Sequence, residues 1–162
     1  MEKPIIAVTM GDPAGIGPEI VAKSIADKAT YDVARCIVIG DKKVMEKAIR
    51  IVGADLKVNV VDSPADGDYS YGVLNMIDLD NIDMSRFEYG KINAMCGQAA
   101  FDYIKKSIEI TMDKQADAVA TTPINKESLH AAEVDFIGHT EIFGALSLIH
   151  ISEPTRQAEI SY

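Results

Sequence analysis

Residues 5–19 read Ile-Ile-Ala-Val-Thr-Met-Gly-Asp-Pro-Ala-Gly-Ile-Gly-Pro-Glu, and this stretch decides the fold of the chain. Residues 5–10 are apolar or β-branched, which predicts a strand buried on both faces. Residues 11–18 are rich in glycine and proline and predict a loop. Pro18 and Glu19 suit the first turn of a helix, because proline is pre-set for that position and a carboxylate favours the positive end of the helix dipole.

The same alternation of strands and helices continues along the chain. Asp41 is a suitable N-cap and Gly53 a suitable C-terminal stop for a helix between them. Residues 78–90 are acidic without a clear period and predict a loop. We therefore expect an α/β fold with a mostly parallel sheet and helices on both faces. The further strands are expected at 36–39, 58–61, 73–77 and 118–121, and the further helices at 42–52, 93–113 and 125–132.

Composition excludes several classes of protein. The chain has 162 residues, which favours one domain, and its 16 Lys+Arg against 25 Asp+Glu give a net charge of −9. An acidic chain is poorly suited to wrap nucleic acid or to lie on an anionic membrane. No apolar run approaches the roughly 20 residues that span a bilayer. Cys36 and Cys96 form no CxxC pair, so neither a disulfide framework nor a zinc site is indicated. A soluble cytoplasmic protein is expected.

The glycine loop, residues 11–18, is the first candidate for chemistry. Glycines let the backbone approach a ligand, and the following helix offers amide hydrogens to an anion. The loop has no Walker A ending and lacks the third glycine of a dinucleotide fingerprint. Asp12 and Glu19 would repel a bare phosphate unless a basic side chain intervened. A tight turn that needs positive φ angles explains the glycines equally well.

Lys126 closes the second candidate, the segment Thr121-Thr122-Pro123-Ile124-Asn125-Lys126 at the end of a predicted strand. Ligands of open α/β sheets bind at that edge. A lysine at a helix N-terminus is unfavourable for the helix itself, so an acidic or phosphorylated ligand would account for it. The alternative is a solvated surface lysine.

The third candidate is Gly138-His139-Thr140-Glu141, where an imidazole and a hydroxyl adjoin. The alternative has Thr140 capping a helix and His139 merely exposed. His130 has no partner at metal-ligand spacing and is interpreted as a surface or packing residue. The acidic residues Asp78, Asp80 and Asp83 lack the glycine and the terminal glutamate of an EF-hand loop, so they predict a solvated loop rather than a calcium site.

Residues 7–19, 121–126 and 136–141, in this order, resemble the motifs of the 4-hydroxythreonine-4-phosphate dehydrogenases, and the likeness extends over about 4–145. The resemblance implies an isocitrate/isopropylmalate-dehydrogenase-like fold, here truncated, and a homodimer. It implies oxidation and decarboxylation of 4-(phosphooxy)-threonine with NAD or NADP and a divalent metal, in pyridoxal phosphate biosynthesis. Beside these cofactors, the expected partner is a small phosphorylated hydroxy-acid substrate, and neither nucleic acid nor a membrane is expected.

Carried over onto matching positions, the resemblance assigns substrate binding to His139 and Thr140, and a substrate-side role to Lys126. Catalytic residues stay unassigned. The family's metal-binding histidines and dinucleotide site lie mainly beyond Glu141, so no metal or cofactor residue is assigned here. Residues 1–145 are expected to be the N-terminal part of such an enzyme, and 146–162 a non-family tail, artefactual or disordered. The chain alone is expected not to turn over.

Three alternatives stay open on the sequence. The first is a related dehydrogenase of threonate or erythronate 4-phosphate, which shares the quoted motifs. The second is a non-catalytic phosphate-binding domain that uses the glycine loop and Lys126. The third is a truncated product without function.

Overall fold

Five parallel strands form a single sheet in the structure, a computed structural model that describes residues 2–136 and 138–150, the last three as backbone only. The strand order is β3-β4-β2-β1-β5, and every neighbouring pair is parallel. This confirms the predicted sheet. The strands are β1 Ile5–Thr9, β2 Arg35–Gly40, β3 Lys57–Val60, β4 Val73–Asp78 and β5 Ala118–Ala120.

Helices connect most of these strands, and four of the six described helices were predicted from the sequence. The helix Lys28–Val33 was not predicted, and it has no buried residue that would give its sequence a hydrophobic periodicity. The helix His139–His150 was present only in the alternative interpretation that made Thr140 a helix cap. A single 3-10 turn, Pro64–Asp66, lies between β3 and β4. None of the described helices is both long and apolar enough to cross a membrane. The helices are α1 Gly17–Ala26, α2 Lys28–Val33, α3 Lys42–Val52, α4 Ala94–Met112, α5 Lys126–Ala131 and α6 His139–His150.

The strand order places helices on both faces of the sheet. The connections from β1 to β2 and from β4 to β5 run in opposite directions along the sheet, and right-handed crossovers then put α1 and α4 on opposite faces. α1 packs against α3, and α4 packs across β1, β2 and β5. A small apolar cluster joins the last three helices, and its buried members are Ile104, Ile108, Leu129 and Ile142.

The expected ends of α3 are confirmed. Asp41 caps α3 by accepting a hydrogen bond from Val44 N at 3.2 Å, and Gly53 ends that helix with φ +68°. Asn93 caps α4 and Asn125 caps α5 through their side-chain oxygens. The expected boundary between 145 and 146 falls within α6, and 151–162 lie outside the described residues.

Helix α5 rests directly on α4 at Gly97. A Cβ atom built on Gly97 would overlap the carbonyl of Ser128 and would lie 2.8 Å from Leu129 N. Only a glycine allows this close approach of two helix backbones. The position of α5 at the sheet edge therefore depends on the absence of a side chain at residue 97.

We predict that Gly97→Ala lowers the free energy of unfolding by about 1–3 kcal/mol, because the methyl group meets rigid backbone and forces the helices apart. Gly144→Ala, in α6, is the matched control, since a Cβ there has nothing within 4 Å. The control should be neutral or stabilising by up to about 1 kcal/mol. Urea denaturation of both variants checks this, and equal effects of the two substitutions would contradict it.

Candidate functional site

The carboxyl ends of β1 and β5 lie side by side and bring two of the candidate segments together. β1 leads into the glycine loop, and β5 leads into residues 121–126. Asp12 N donates a hydrogen bond to Pro123 O at 3.0 Å. Thr122 Oγ1, which is buried, donates to Thr9 O at 2.9 Å. These two bonds hold the segments in contact at the edge where α/β proteins bind ligands.

The glycines of the loop serve two purposes. Gly11 has φ +75°, and a Cβ on it would meet Thr122 Oγ1 and lie 2.5 Å from Pro123 O. A Cβ on Gly17 would overlap Met10 O. At Gly15, by contrast, a Cβ would make ordinary 3.6 Å contacts. Gly11 and Gly17 are thus required by packing, whereas Gly15 is free to face a ligand.

A cavity of about 610 Å³ opens between the two segments. Lys126, the first residue of α5, lies on its wall, and no ion pair joins this lysine to a described residue. Asn125 Oδ1 accepts hydrogen bonds from Glu127 N and Ser128 N. These bonds fix the start of α5, where Lys126 is the first residue. The residues that line the cavity are Asp12, Gly15, Ile16, Pro123, Ile124, Asn125, Lys126 and Glu127.

His139 begins α6, is half-buried and is not among the residues that line the cavity. Its ring is hydrogen-bonded to the backbone of Thr122. Burial lowers the pKa of His139 from its usual 6.5, and the bond to Thr122 acts in the opposite direction. Nε2 of His139 is buried without a partner among the described residues. A Cβ atom built on Gly138 would lie 3.9 Å from Cε of Lys126, so the third segment adjoins the lysine.

The position of Thr140 contradicts the alternative interpretation of the sequence, in which this residue caps a helix. The helix α6 begins at His139, so Thr140 lies inside the first turn and is not the N-cap. The same alternative made His139 merely exposed, which is also wrong, because its ring packs against Thr122. Thr140 itself is exposed and is not among the residues that line the cavity. Its substrate-binding role stays a prediction.

Asp12 is the buried charge of the site, with 6% of its surface exposed. Its Oδ1 accepts a hydrogen bond from Ala14 N at 3.0 Å. Burial raises the pKa of the Asp12 carboxyl above its ordinary value, and the Ala14 N–H acts against that shift. Asp12 and Lys126 line the same cavity without forming an ion pair within 4.0 Å.

The described residues do not fit a metal centre. In residues 2–136 and 138–150, no group of three or more His, Cys, Asp or Glu side chains is placed to hold an ion. The acidic residues at the end of β4 and just after it make other contacts. Asp78 Oδ1 accepts from Lys42 N and Asp80 N, Asp80 contacts Lys43 Nζ, and Asp83 accepts from Ser85.

Comparison with known proteins identifies the family. Residues 32–152 match the sequence model of the family described as "Pyridoxal phosphate biosynthetic protein PdxA". The chain belongs to the PdxA family. A Fusobacterium nucleatum relative, named "Putative D-threonate 4-phosphate dehydrogenase", is 56% identical over 142 residues, which are 88% of this chain and 43% of the relative. A Symbiobacterium thermophilum relative with the same name is 50% identical over 148 residues, 91% of this chain and 44% of the relative.

Solved structures agree with this membership of the PdxA family. A 4-hydroxythreonine-4-phosphate dehydrogenase from Burkholderia phymatum is 39% identical, with a TM-score of 0.86, over 90% of this chain and 44% of that one. The enzyme of the same name from Klebsiella pneumoniae is 34% identical, with a TM-score of 0.85 and the same coverage. The chain therefore spans less than half the length of the relatives it matches, and those relatives are named dehydrogenases.

Two contributors to the site escaped the sequence reasoning. Thr122 joins the glycine loop, β1 and His139, and nothing local marks it for that role. Asn125 fixes the start of α5, and here a signal existed: an Asn directly before a lysine-glutamate pair and a short apolar period is typical of an N-cap.

We predict that Gly11→Ala and Gly17→Ala each lower the free energy of unfolding by about 1–3 kcal/mol, because a methyl group there meets backbone oxygen. Gly15→Ala is the control and should change it by less than about 1 kcal/mol, since its Cβ has room. Thermal and urea unfolding measure all three. A Gly15 variant as damaging as the other two would contradict the division of roles.

We predict that stability falls as the pH drops below the usual histidine pKa of 6.5. Because folding lowers the pKa of His139, the unfolded chain binds more protons than the folded chain once the pH drops below 6.5. The free energy of unfolding that the neutral His139 contributes is therefore lost as the pH falls through the folded-state pKa. In His139→Gln, unfolding free energies at about pH 7.5 and 5.5 should differ less than in the wild type. His130→Gln, at an exposed site, is the control and should keep the wild-type difference.

Proposed function

We propose that this chain supplies the substrate-side half of a dehydrogenase that acts on a phosphorylated four-carbon hydroxy acid, and that D-threonate 4-phosphate is the substrate. The observation that carries the proposal is Lys126 on the cavity wall, which forms no ion pair with a described residue, beside the segment of His139, whose Nε2 has no hydrogen-bond partner among the described residues. A lysine without such an ion pair and an imidazole nitrogen with spare hydrogen-bonding capacity suit a ligand with both an anionic group and a hydroxyl.

The anionic end of the ligand has two attractions in this cavity. Helix α1 has Ile16 at its N-cap with no side-chain bond to the first turn, so the N–H groups of its first turn, which Pro18 lacks, keep their capacity to donate. Gly15 and Ile16 line the cavity, which sets this helix end on its wall. Such a helix end favours a phosphate or carboxylate, and the Lys126 ammonium adds a full positive charge.

The hydroxyl-bearing part of the ligand falls to His139 and Thr140 in this proposal. The bond to Thr122 fixes the orientation of the imidazole ring, and the free Nε2 can accept a hydrogen bond from a substrate hydroxyl. The Thr140 hydroxyl, one residue further along α6, would bind the same end of the ligand. These roles follow the family resemblance residue by residue.

D-threonate 4-phosphate is favoured because the relatives named for it share more sequence identity with this chain than the solved enzymes named for a second substrate. Relatives carrying the threonate name are 46–56% identical to this chain. Solved enzymes carrying the hydroxythreonine name are 31–39% identical. The second candidate, 4-(phosphooxy)-threonine, is supported by the family description and would give the protein a role in pyridoxal phosphate biosynthesis.

Oxidation of the substrate needs NAD or NADP as hydride acceptor, and the resemblance adds a divalent metal, which would polarise the reacting oxygen. The described residues do not fit a metal site, so no chemical step is assigned to them. They bind and orient the substrate. The resemblance also supports a cytoplasmic homodimer for the full-length protein. A non-catalytic phosphate-binding domain is the alternative that the binding experiment separates.

We predict that Lys126→Ala weakens binding of D-threonate 4-phosphate by about tenfold or more, because a charge-assisted hydrogen bond is lost. Isothermal titration calorimetry of the chain measures this. Lys105→Ala, an exposed lysine outside the cavity, is the control and should bind as the wild type does. Equal affinities of wild type and Lys126→Ala would refute the anionic site. Inorganic phosphate bound as tightly as the hydroxy acid would favour the non-catalytic domain.

We further predict that a full-length protein carrying this sequence reduces NAD or NADP faster with D-threonate 4-phosphate than with 4-(phosphooxy)-threonine. Absorbance of the reduced nicotinamide reports both rates. A preference for 4-(phosphooxy)-threonine would transfer the assignment to the pyridoxal phosphate pathway.

A further inference from the structure

The cavity holds a charge that the proposed anion site does not use. Asp12 lines the same wall as Gly15, is almost fully buried, and carries a carboxylate that should repel a phosphate. Burying a carboxylate is costly unless it is paired, and Asp12 has no ion pair with a described residue. The buried Asp12 carboxylate thus disfavours both folding and the binding of a simple anion. We therefore expect an interaction with the ligand that offsets these two costs.

One half of the Asp12 side chain already has a structural task. Oδ1 accepts from Ala14 N and holds the turn of the glycine loop. Asparagine and serine can make the same local bond, so the turn alone does not require a charge. Among the described residues no hydrogen bond reaches the second oxygen, Oδ2, which lies 3.6 Å from a Cβ built on Gly15, the glycine that faces the cavity.

We propose that Asp12 is a specificity residue, whose Oδ2 accepts a hydrogen bond from a hydroxyl or ammonium group of the ligand while Lys126 binds its anionic group. The inference rests on the proposed function. Asp12 thereby accounts for the selection of phosphorylated acids that carry a hydrogen-bond donor on their carbon chain. Inorganic phosphate and phosphorylated acids without such a donor are rejected, because they leave the buried carboxylate unpaired against their own negative charge.

Both candidate substrates satisfy this requirement in different ways. D-threonate 4-phosphate offers a hydroxyl where 4-(phosphooxy)-threonine offers an ammonium group. A carboxylate forms a stronger hydrogen bond with an ammonium group than with a hydroxyl, because both partners of the first bond are charged. Removal of the Asp12 charge should therefore weaken the ammonium ligand more than the hydroxyl ligand.

The test combines a variant with a ligand change. Asp12→Asn keeps an oxygen for Ala14 N and removes the charge. Calorimetry on the wild-type chain and on the variant measures the affinities of D-threonate 4-phosphate, 4-(phosphooxy)-threonine, inorganic phosphate and 4-phosphooxybutanoate, which has no hydroxyl. We expect the wild type to prefer D-threonate 4-phosphate over 4-phosphooxybutanoate, and the variant to lose about tenfold of that preference while binding inorganic phosphate more tightly.

Asp27→Asn is the matched control, because Asp27 makes the same local bond, to Ala29 N at 2.9 Å, at an exposed position outside the cavity. It should keep the wild-type preference. Asp12→Ser, which also retains an acceptor for the turn, replaces the asparagine variant if circular dichroism finds that one unfolded. An unchanged preference in the folded Asp12 variant overturns this inference alone. Failure of the wild type to bind any of the four ligands overturns the proposed function together with it.

Discussion

The hydroxyl of Thr122 donates to the carbonyl of Thr9, and the rest of the site depends on this bond. It ties the ends of the two neighbouring strands β1 and β5 across a separation of 113 residues in sequence. The same side chain fills the space left by two glycines, and the same residue's backbone binds His139. One threonine thus fixes the mutual positions of the loop, the strand end and the imidazole.

Two charged residues of the cavity lie where their charges are electrostatically unfavourable for the folded chain. Lys126 is the first residue of a helix, where its charge faces the positive end of the helix dipole, and Asp12 is buried without an ion pair to a described residue. Neither group neutralises the other, although both line the same cavity. Proteins tolerate such local conflicts mainly at functional sites, because a ligand can relieve them. The cavity is thus better suited to a bound state than to an empty one.

Local signals predicted most of the fold. Asp41 and Gly53 predicted the two ends of α3, and the long apolar period predicted α4. Strand order did not follow from the sequence, because pairing of β1 with β5 depends on contacts over a hundred residues apart. The sequence singled out Lys126 and His139, whose binding roles stay predictions, but it did not single out Thr122, which connects their segments, since a threonine within a Thr-Thr-Pro run has no local feature that distinguishes it.

The segment between β4 and α4 is anchored to the site at two points near its end. Gly90 N donates to Ala14 O in the glycine loop, and Asn93 N donates to Ser128 Oγ in α5. Only residues 91 and 92 separate these anchors, so this short stretch bridges the two walls of the cavity. Insertions are usually cheap in surface loops. Here they would spread the walls, so length variation among homologues should be confined to the part of the segment before residue 90.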